Sequence, residues 1–228
     1  MSDTHQPFPP LPDLSDEERV ARARVAFEKL RTRHSCRAFT DAPVPREVIE
    51  YAIRAAGTAP SGANHQPWHF AVIGSAENKR AIREAAEAEE RRFYGDDGDK
   101  PKASEEWLEA LAPIGTDASK PFLETAPWLI VCFAQRTGGI EEDGQTQNYY
   151  VNESVGIACG MLIATLHEAG LATLTHTPSP MGFLRDLCGR PSNEKPLMIV
   201  VVGHAAEDAI VPEHALKKKP LEQISSWL

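Results

Sequence analysis

The chain has 228 residues, enough for one well-buried core, and its 42% hydrophobic and 25% charged composition excludes a disordered protein. Asp and Glu outnumber Lys and Arg by 33 to 24, for a formal net charge of −9, and the densest basic run is only Lys217-Lys218-Lys219. An acidic chain without a basic stripe is a poor partner for nucleic acid or for an anionic membrane.

Residues 1–14 are expected to form an extended arm, because Pro7, Pro9, Pro10 and Pro12 cannot sit inside a helix. Ser15 followed by Glu18 is a capping-box pair, and a helix starting there carries Val20, Val25, Phe27 and Leu30 at near-helical spacing towards Arg33. A second helix fits 45–56, with Pro45 in its first turn, Val48, Ile49, Ala52, Ile53 and Ala56 as its apolar stripe, and Gly57 as its stop. Short apolar runs at 69–74, 127–134, 171–177 and 197–203 read as strands. Between them, helices fit 76–93, 148–169 and 181–188. The one at 148–169 is apolar around much of its circumference and holds Gly156 and Gly160, as a buried helix would. The stretch 95–119 lacks periodicity and reads as a mobile insertion or lid, at about 90–120. This alternation gives an α/β (α+β) fold in which helices cover a central sheet, with 15–228 as a single domain behind the arm.

The four cysteines, Cys36, Cys132, Cys159 and Cys188, form no CxxC pair, so buried reduced thiols are expected, with no disulfide framework or metal site. No apolar run approaches the ~18 residues of a membrane span, and the polar, proline-rich start lacks a signal-peptide pattern. These features imply a cytoplasmic protein.

Three stretches carry chemistry. In Arg33-His34-Ser35-Cys36-Arg37, two guanidinium groups flank a hydroxyl just past a helix end. That pattern suits a phosphate or a flavin ring edge, although taken alone it more often marks an exposed basic turn. Thr58-Ala59-Pro60-Ser61-Gly62-Ala63, followed by Gln66-Pro67-Trp68, is a rigid loop of small residues whose backbone N–H groups can approach a ligand closely. Thr175-His176-Thr177-Pro178 closes a strand in a polar cluster, a usual place for ligand contacts in sheet proteins.

In this order these pieces resemble the nitroreductase superfamily, and within it the iodotyrosine deiodinases. The resemblance runs from about residue 30 to 225. Its most specific parts are TAPSGA (58–63), PFLETAP (121–127), NESVGIACGMLIATLHEAGLATLTHTP (152–178), GRPSNEKPLM (189–198) and KKKPLEQI (217–224). It implies the nitroreductase fold, a central mixed sheet in an intertwined homodimer, with FMN at the interface. The implied FMN contacts are Arg33, His34, Ser35, Arg37, Ser61, Gly62, Thr175, His176, Thr177 and Lys218. His34 and Lys218 stand where the deiodinases carry arginine, so one loses fixed charge and the other the bidentate fork.

The same resemblance implies a lid that grips the amino-acid head group of a halotyrosine. Glu90 would take the ammonium, while Tyr94 and Lys120 would take the carboxylate. Glu90 and Tyr94 are one turn apart and share a helix face. Glu89 with Phe93 is the alternative register, but Phe93 has no hydroxyl. The spacer between Tyr94 and Lys120 is longer than in the animal enzymes. The implied reaction is FMN-dependent reductive dehalogenation, driven by an external electron donor. The Ala63 N–H would hold the phenolate oxygen, and Thr177 would act as the catalytic group, hydrogen-bonded to flavin N5 so as to favour single-electron transfer. A broad nitroreductase or quinone reductase is the alternative enzyme, and a flavin- or halotyrosine-binding protein without turnover is the alternative from another class. A flavin-destroying dimethylbenzimidazole synthase is disfavoured, because its characteristic aspartate would fall at Ser35.

Overall fold

The computed structural model describes residues 6–96, 98, 100–140 and 146–228. Residues 1–5 of the expected arm, and 97 and 99 of the expected insertion, lie outside this set. The chain divides into two units, Met1–Arg33 and His34–Leu228.

In the first unit, residues 6–15 have no regular structure and lead into α1, Asp16–Leu30. The capping box forms as the sequence implies: Glu18 N–H donates to Ser15 Oγ at 3.2 Å, and Ser15 N–H donates to Glu18 Oε2 at 2.7 Å. No residue of α1 is buried, so Val20, Val25, Phe27 and Leu30 all present apolar surface to solvent.

The second unit begins with α2, Arg46–Ala56, and is built on a four-stranded sheet: β1 Trp68–Ile73, β2 Trp128–Gln135, β3 Ala172–His176 and β4 Glu194–Gly203, in the order β1-β2-β4-β3. Side chains alternate along β2. Leu129, Val131 and Phe133 enter one core with Ile82 and Ala86 of α3 (Ala76–Tyr94), Leu123 of α5 (Phe122–Thr125) and Leu184 of α7 (Phe183–Leu187). Ile130, Cys132 and Ala134 enter the other, with Ile49 and Ala52 of α2 and Val155, Cys159 and Leu162 of α6 (Val151–Glu168). Both faces are therefore covered, which is why the strands read as unbroken apolar runs.

All three strand pairings are antiparallel. Among the described residues, the parallel component of the expected mixed sheet is a single bridge between Ser35 and Thr173 on the β3 edge. A strand buried on both faces carries the same apolar pattern in either direction, so direction was not readable from composition. Within one chain the glycine helix is buried on one face. The inner face of α6 is buried, but Ile157 is 47% exposed and a Cβ built at Gly156 or Gly160 meets nothing within 4 Å. The stretch 95–119 holds more order than its weak periodicity implied. Ser104 caps α4, Glu105–Leu111, by accepting from Trp107 N–H at 3.3 Å, and a 3-10 turn follows at Ala112–Ile114. The C-terminal segment adds two one-turn helices, α8 Glu213–Leu216 and α9 Leu221–Ile224. All four cysteines are free thiols, three of them buried. Among the described residues, no helix is long and apolar enough to cross a membrane.

Candidate active site

The site is set by α3. Ser75 caps its start, accepting from Asn78 N–H at 3.3 Å, and Gly95, left-handed at φ 81°, stops it one residue after Tyr94. Glu90 and Tyr94 therefore project from the last turns on one face, and that face meets Lys120. The Lys120 side chain is only 2% exposed. Its Nζ lies 3.4 Å from Glu90 Oε2 and 5.7 Å from the Tyr94 ring centroid. It also donates to Thr116 Oγ1 at 3.1 Å and to the Asp117 carbonyl. The Lys120 backbone is tied to α3 as well, its N–H donating to Glu87 Oε1 at 2.8 Å. Burial pushes the Glu90 carboxyl above its usual value, a shift that the Lys120 ammonium opposes. Burial also pushes the Tyr94 hydroxyl up, against a hydrogen bond from Thr116. Glu89, the other register, pairs with Arg92 at 2.6 Å and does not reach this site.

The opposite wall is the end of β3. Strand alternation exposes Thr175 and buries His176, and Thr177 beyond the strand is exposed again. The His176 ring meets Phe122 edge-on, with centroids 5.6 Å apart, and its buried Nε2 has no hydrogen-bond partner among the described residues. Burial, reinforced by Lys120 and Arg37, lowers its pKa to about 3, so the imidazole is neutral at physiological pH. Cys36 N–H donates to the Thr173 carbonyl at 3.0 Å, laying the 35–37 segment along the β3 edge. That places half-buried Arg37 in the same site, with no carboxylate partner among the described residues.

Arg37, Glu90, Tyr94, Lys120, Thr175, His176 and Thr177 thus share one cavity of about 220 Å³, completed by Phe93, Trp107, Leu111, Thr116 and Ser179. Trp107 and Leu111 were not anticipated. Their i, i+4 spacing behind the capping residue Ser104 was the signal that could have found them, hidden in a stretch with little other periodicity. Larger clefts lie beside Lys79 and Glu124 (about 830 Å³) and between Arg136 and Arg185 (about 620 Å³). Neither is lined by a buried side-chain atom lacking a hydrogen-bond partner, so size alone does not select them.

Other expected contacts lie apart. Ser61, Gly62 and Ala63 belong to the loop before β1, at the same end of the sheet as Thr177 but beyond the opposite edge strand. Three strand spacings, about 14 Å, separate the two edges. The Ser61 hydroxyl is engaged within its own loop, accepting from Gln66 N–H at 2.9 Å. Gly62 is required where it stands, since a Cβ there would sit 2.9 Å from the Tyr149 carbonyl oxygen. Ser35 lies at the β3 edge beside Thr173, and His34 is half-buried just before it. Lys218 is exposed after α8, its Nζ donating to the Ala215 carbonyl at 2.7 Å, and it does not line the cavity. Arg33 ends the N-terminal unit. Within one chain most of the expected residues therefore form a cavity group and a loop group, with Lys218 in neither.

A covered antiparallel sheet with a cationic, hydroxyl-rich pocket at the end of β3 defines the class. The chain belongs to the nitroreductase family, whose model matches residues 30–204. Among curated relatives it is 47% identical over 203 residues to the iodotyrosine deiodinase of Haliscomenobacter hydrossis, covering 89% of each chain. It is 43% identical over 211 residues to iodotyrosine deiodinase 1 of Homo sapiens, covering 92% of this chain and 70% of that one. The fold matches a crystal structure of oxidized iodotyrosine deiodinase bound to FMN and 3-iodo-L-tyrosine, with a TM-score of 0.70 and 28% identity, over 80% of this chain and 90% of the other.

Proposed function

We propose that the chain is an FMN-dependent reductase that removes halide from halotyrosines. The observation that carries this reading is the buried Glu90–Lys120 pair, 3.4 Å apart beside Tyr94 and over the end of β3. A tyrosine head group has one positive and one negative charge. The two side chains neutralise each other until a zwitterion inserts between them, Glu90 receiving the ammonium and Lys120, with the Tyr94 hydroxyl, the carboxylate. Charge-assisted bonds of this kind contribute about 1.5–3 kcal/mol each when desolvated. Nothing in simple nitroaromatic or quinone reduction calls for such a clamp.

The residues present fit FMN. Arg37 offers a half-buried cation without a carboxylate partner, His176 Nε2 is a buried polar atom in want of one, and Thr175 and Thr177 bring two exposed hydroxyls. With Arg33, His34, Ser35, Ser61, Gly62 and Lys218 they would hold its phosphate and ring. When bound, FMN supplies the two electrons that, with a proton, replace the carbon–halogen bond by carbon–hydrogen and release halide. The chain's own part would be position: Ala63 N–H would hold the phenolate oxygen, Trp107 and Leu111 would exclude water, and the Thr177 hydroxyl would donate to the flavin ring.

The active form is a homodimer. The separation of the cavity and loop groups supports this, since two copies can bring the loop of one to the cavity of the other. The exposed apolar residues of α1 and the open glycine face of α6 support it too. Sedimentation at micromolar concentration should give a yellow species of twice the 25.0 kDa chain, and a yellow monomer would contradict the two-chain site. Free thiols at all four cysteines favour the cytoplasm, where an external reductant recharges the flavin.

Clamp binding should depend on pH through Glu90. Its carboxylate form receives the ammonium, and burial has raised its pKa above 4.5. The ratio of wild-type to Glu90→Gln affinity for 3-iodotyrosine is therefore largest near neutrality. It falls towards one as pH drops through the raised value. Titration of both proteins from pH 8 down to 4 checks this, and a ratio still flat at the acid end would remove Glu90 from the clamp.

A further inference from the structure

The loop that carries Ala63 is backbone-strained and pinned from outside. Ala63, Asn64 and Gln66 are all left-handed, at φ 49°, 56° and 52°, although none is glycine. Such residues cost about 1 kcal/mol or more each and persist only where their surroundings over-determine them. Three bonds within the loop help: Asn64 N–H to the Ser61 carbonyl at 3.0 Å, His65 N–H to the Gly62 carbonyl at 3.0 Å, and Gln66 N–H to Ser61 Oγ at 2.9 Å. Among the described residues, a single side-chain hydrogen bond joins residues 61–66 to a distant segment, His65 Nδ1 to Asn148 Oδ1 at 3.0 Å.

Asn148 is a firm anchor. It is 5% exposed, its N–H donates to the Arg136 carbonyl at 3.0 Å, and its Nδ2 donates to the Gln135 carbonyl at 2.9 Å. That last bond settles the orientation of the amide. Nδ2 faces an acceptor, so Oδ1 faces His65, and His65 must carry its proton on Nδ1. The anchor continues into Tyr150, also left-handed at φ 52°, which leads into α6. A backbone N–H has no rotamer by which to correct its aim, so its direction is only as good as the loop's φ and ψ.

We infer that His65 and Asn148 are positioning residues for ring recognition: their bond holds the left-handed loop that aims the Ala63 N–H at the phenolate oxygen. The inference rests on the role given to Ala63 under Proposed function. It divides substrate recognition between two devices, the Lys120 clamp for the head group and the Asn148 strut for the ring.

The test uses FMN-loaded protein and follows flavin absorbance during titration with 2-iodophenol, which has no head group, and with 3-iodotyrosine. His65→Phe should weaken both ligands by about 10-fold per flavin site, the loss of one hydrogen bond's worth of aim. His65→Asn keeps an N–H donor at the position of Nδ1 and should bind both within about twofold of wild type, a rescue that general loop damage would not show. Asn148→Ser breaks the same bond from the other side. Asn148→Ser also frees the Gln135 carbonyl, but both variants lose the one His65–Asn148 bond, so the double variant should lose no more than the weaker-binding single variant. Additive losses, or unchanged 2-iodophenol affinity in His65→Phe beside tight wild-type binding, would overturn the strut. A wild-type protein that binds 3-iodotyrosine but not 2-iodophenol would overturn the ring role of Ala63 itself, and the strut with it.

Discussion

Lys120→Ala is expected to weaken 3-iodotyrosine binding by about 10- to 100-fold, the loss of one desolvated charge-assisted contact at ~1.4 kcal/mol per decade. Lys120 is buried, lies 3.4 Å from Glu90, and is held by Thr116 and the Asp117 carbonyl, so it has one well-defined place to meet a carboxylate. Binding of 2-iodophenol should hardly change. The variant removes a cation paired with Glu90, and that carboxyl, already raised by burial, can take up a proton in its absence. Equal losses for both ligands would make Lys120 a structural lysine and sink the clamp.

Thr177→Ala should separate the two chemistries open to a flavin reductase. Thr177 follows β3 with an exposed side chain lining the cavity, and on the proposed reading its hydroxyl would donate to flavin N5. A donated hydrogen bond that is stronger in one redox form by about 1.4 kcal/mol shifts the balance between one- and two-electron transfer about tenfold. Dehalogenation, which needs single-electron steps, should fall by about that factor. Reduction of a nitroaromatic, which can proceed by hydride transfer, should be retained or rise. If Thr177 only satisfies the strand end, both rates should fall together with thermal stability.

How much of this was legible in the sequence differs from element to element. The α1 capping box, the stop at Gly57 and the four apolar strands were readable because each depends on neighbours within a few residues. Strand direction was not, since β2 and β4 are buried on both faces and carry no alternation. The shared face of Glu90 and Tyr94 follows from helical spacing alone, whereas Lys120, 30 residues further on, was reached only through resemblance to a family. Trp107 and Leu111 were lost in a seven-residue helix too short to show a period. The left-handed run at Ala63, Asn64 and Gln66 was invisible because Ala63 and Gln66 lack the usual marker of that conformation, glycine; the His65–Asn148 bond spans 83 residues. Lys218 and the loop group sit away from the cavity because a single chain carries the parts of a site that we assign to two.

The most direct measurement is iodide release. Purified yellow protein, reduced with dithionite and given 3-iodotyrosine without oxygen, should liberate one iodide and form one tyrosine per substrate turned over. Lys120→Ala should lose this at low substrate concentration and recover part of it at high concentration. A protein that carries FMN and reduces nitroaromatics, yet releases no iodide from 3-iodotyrosine at any concentration, would contradict the account.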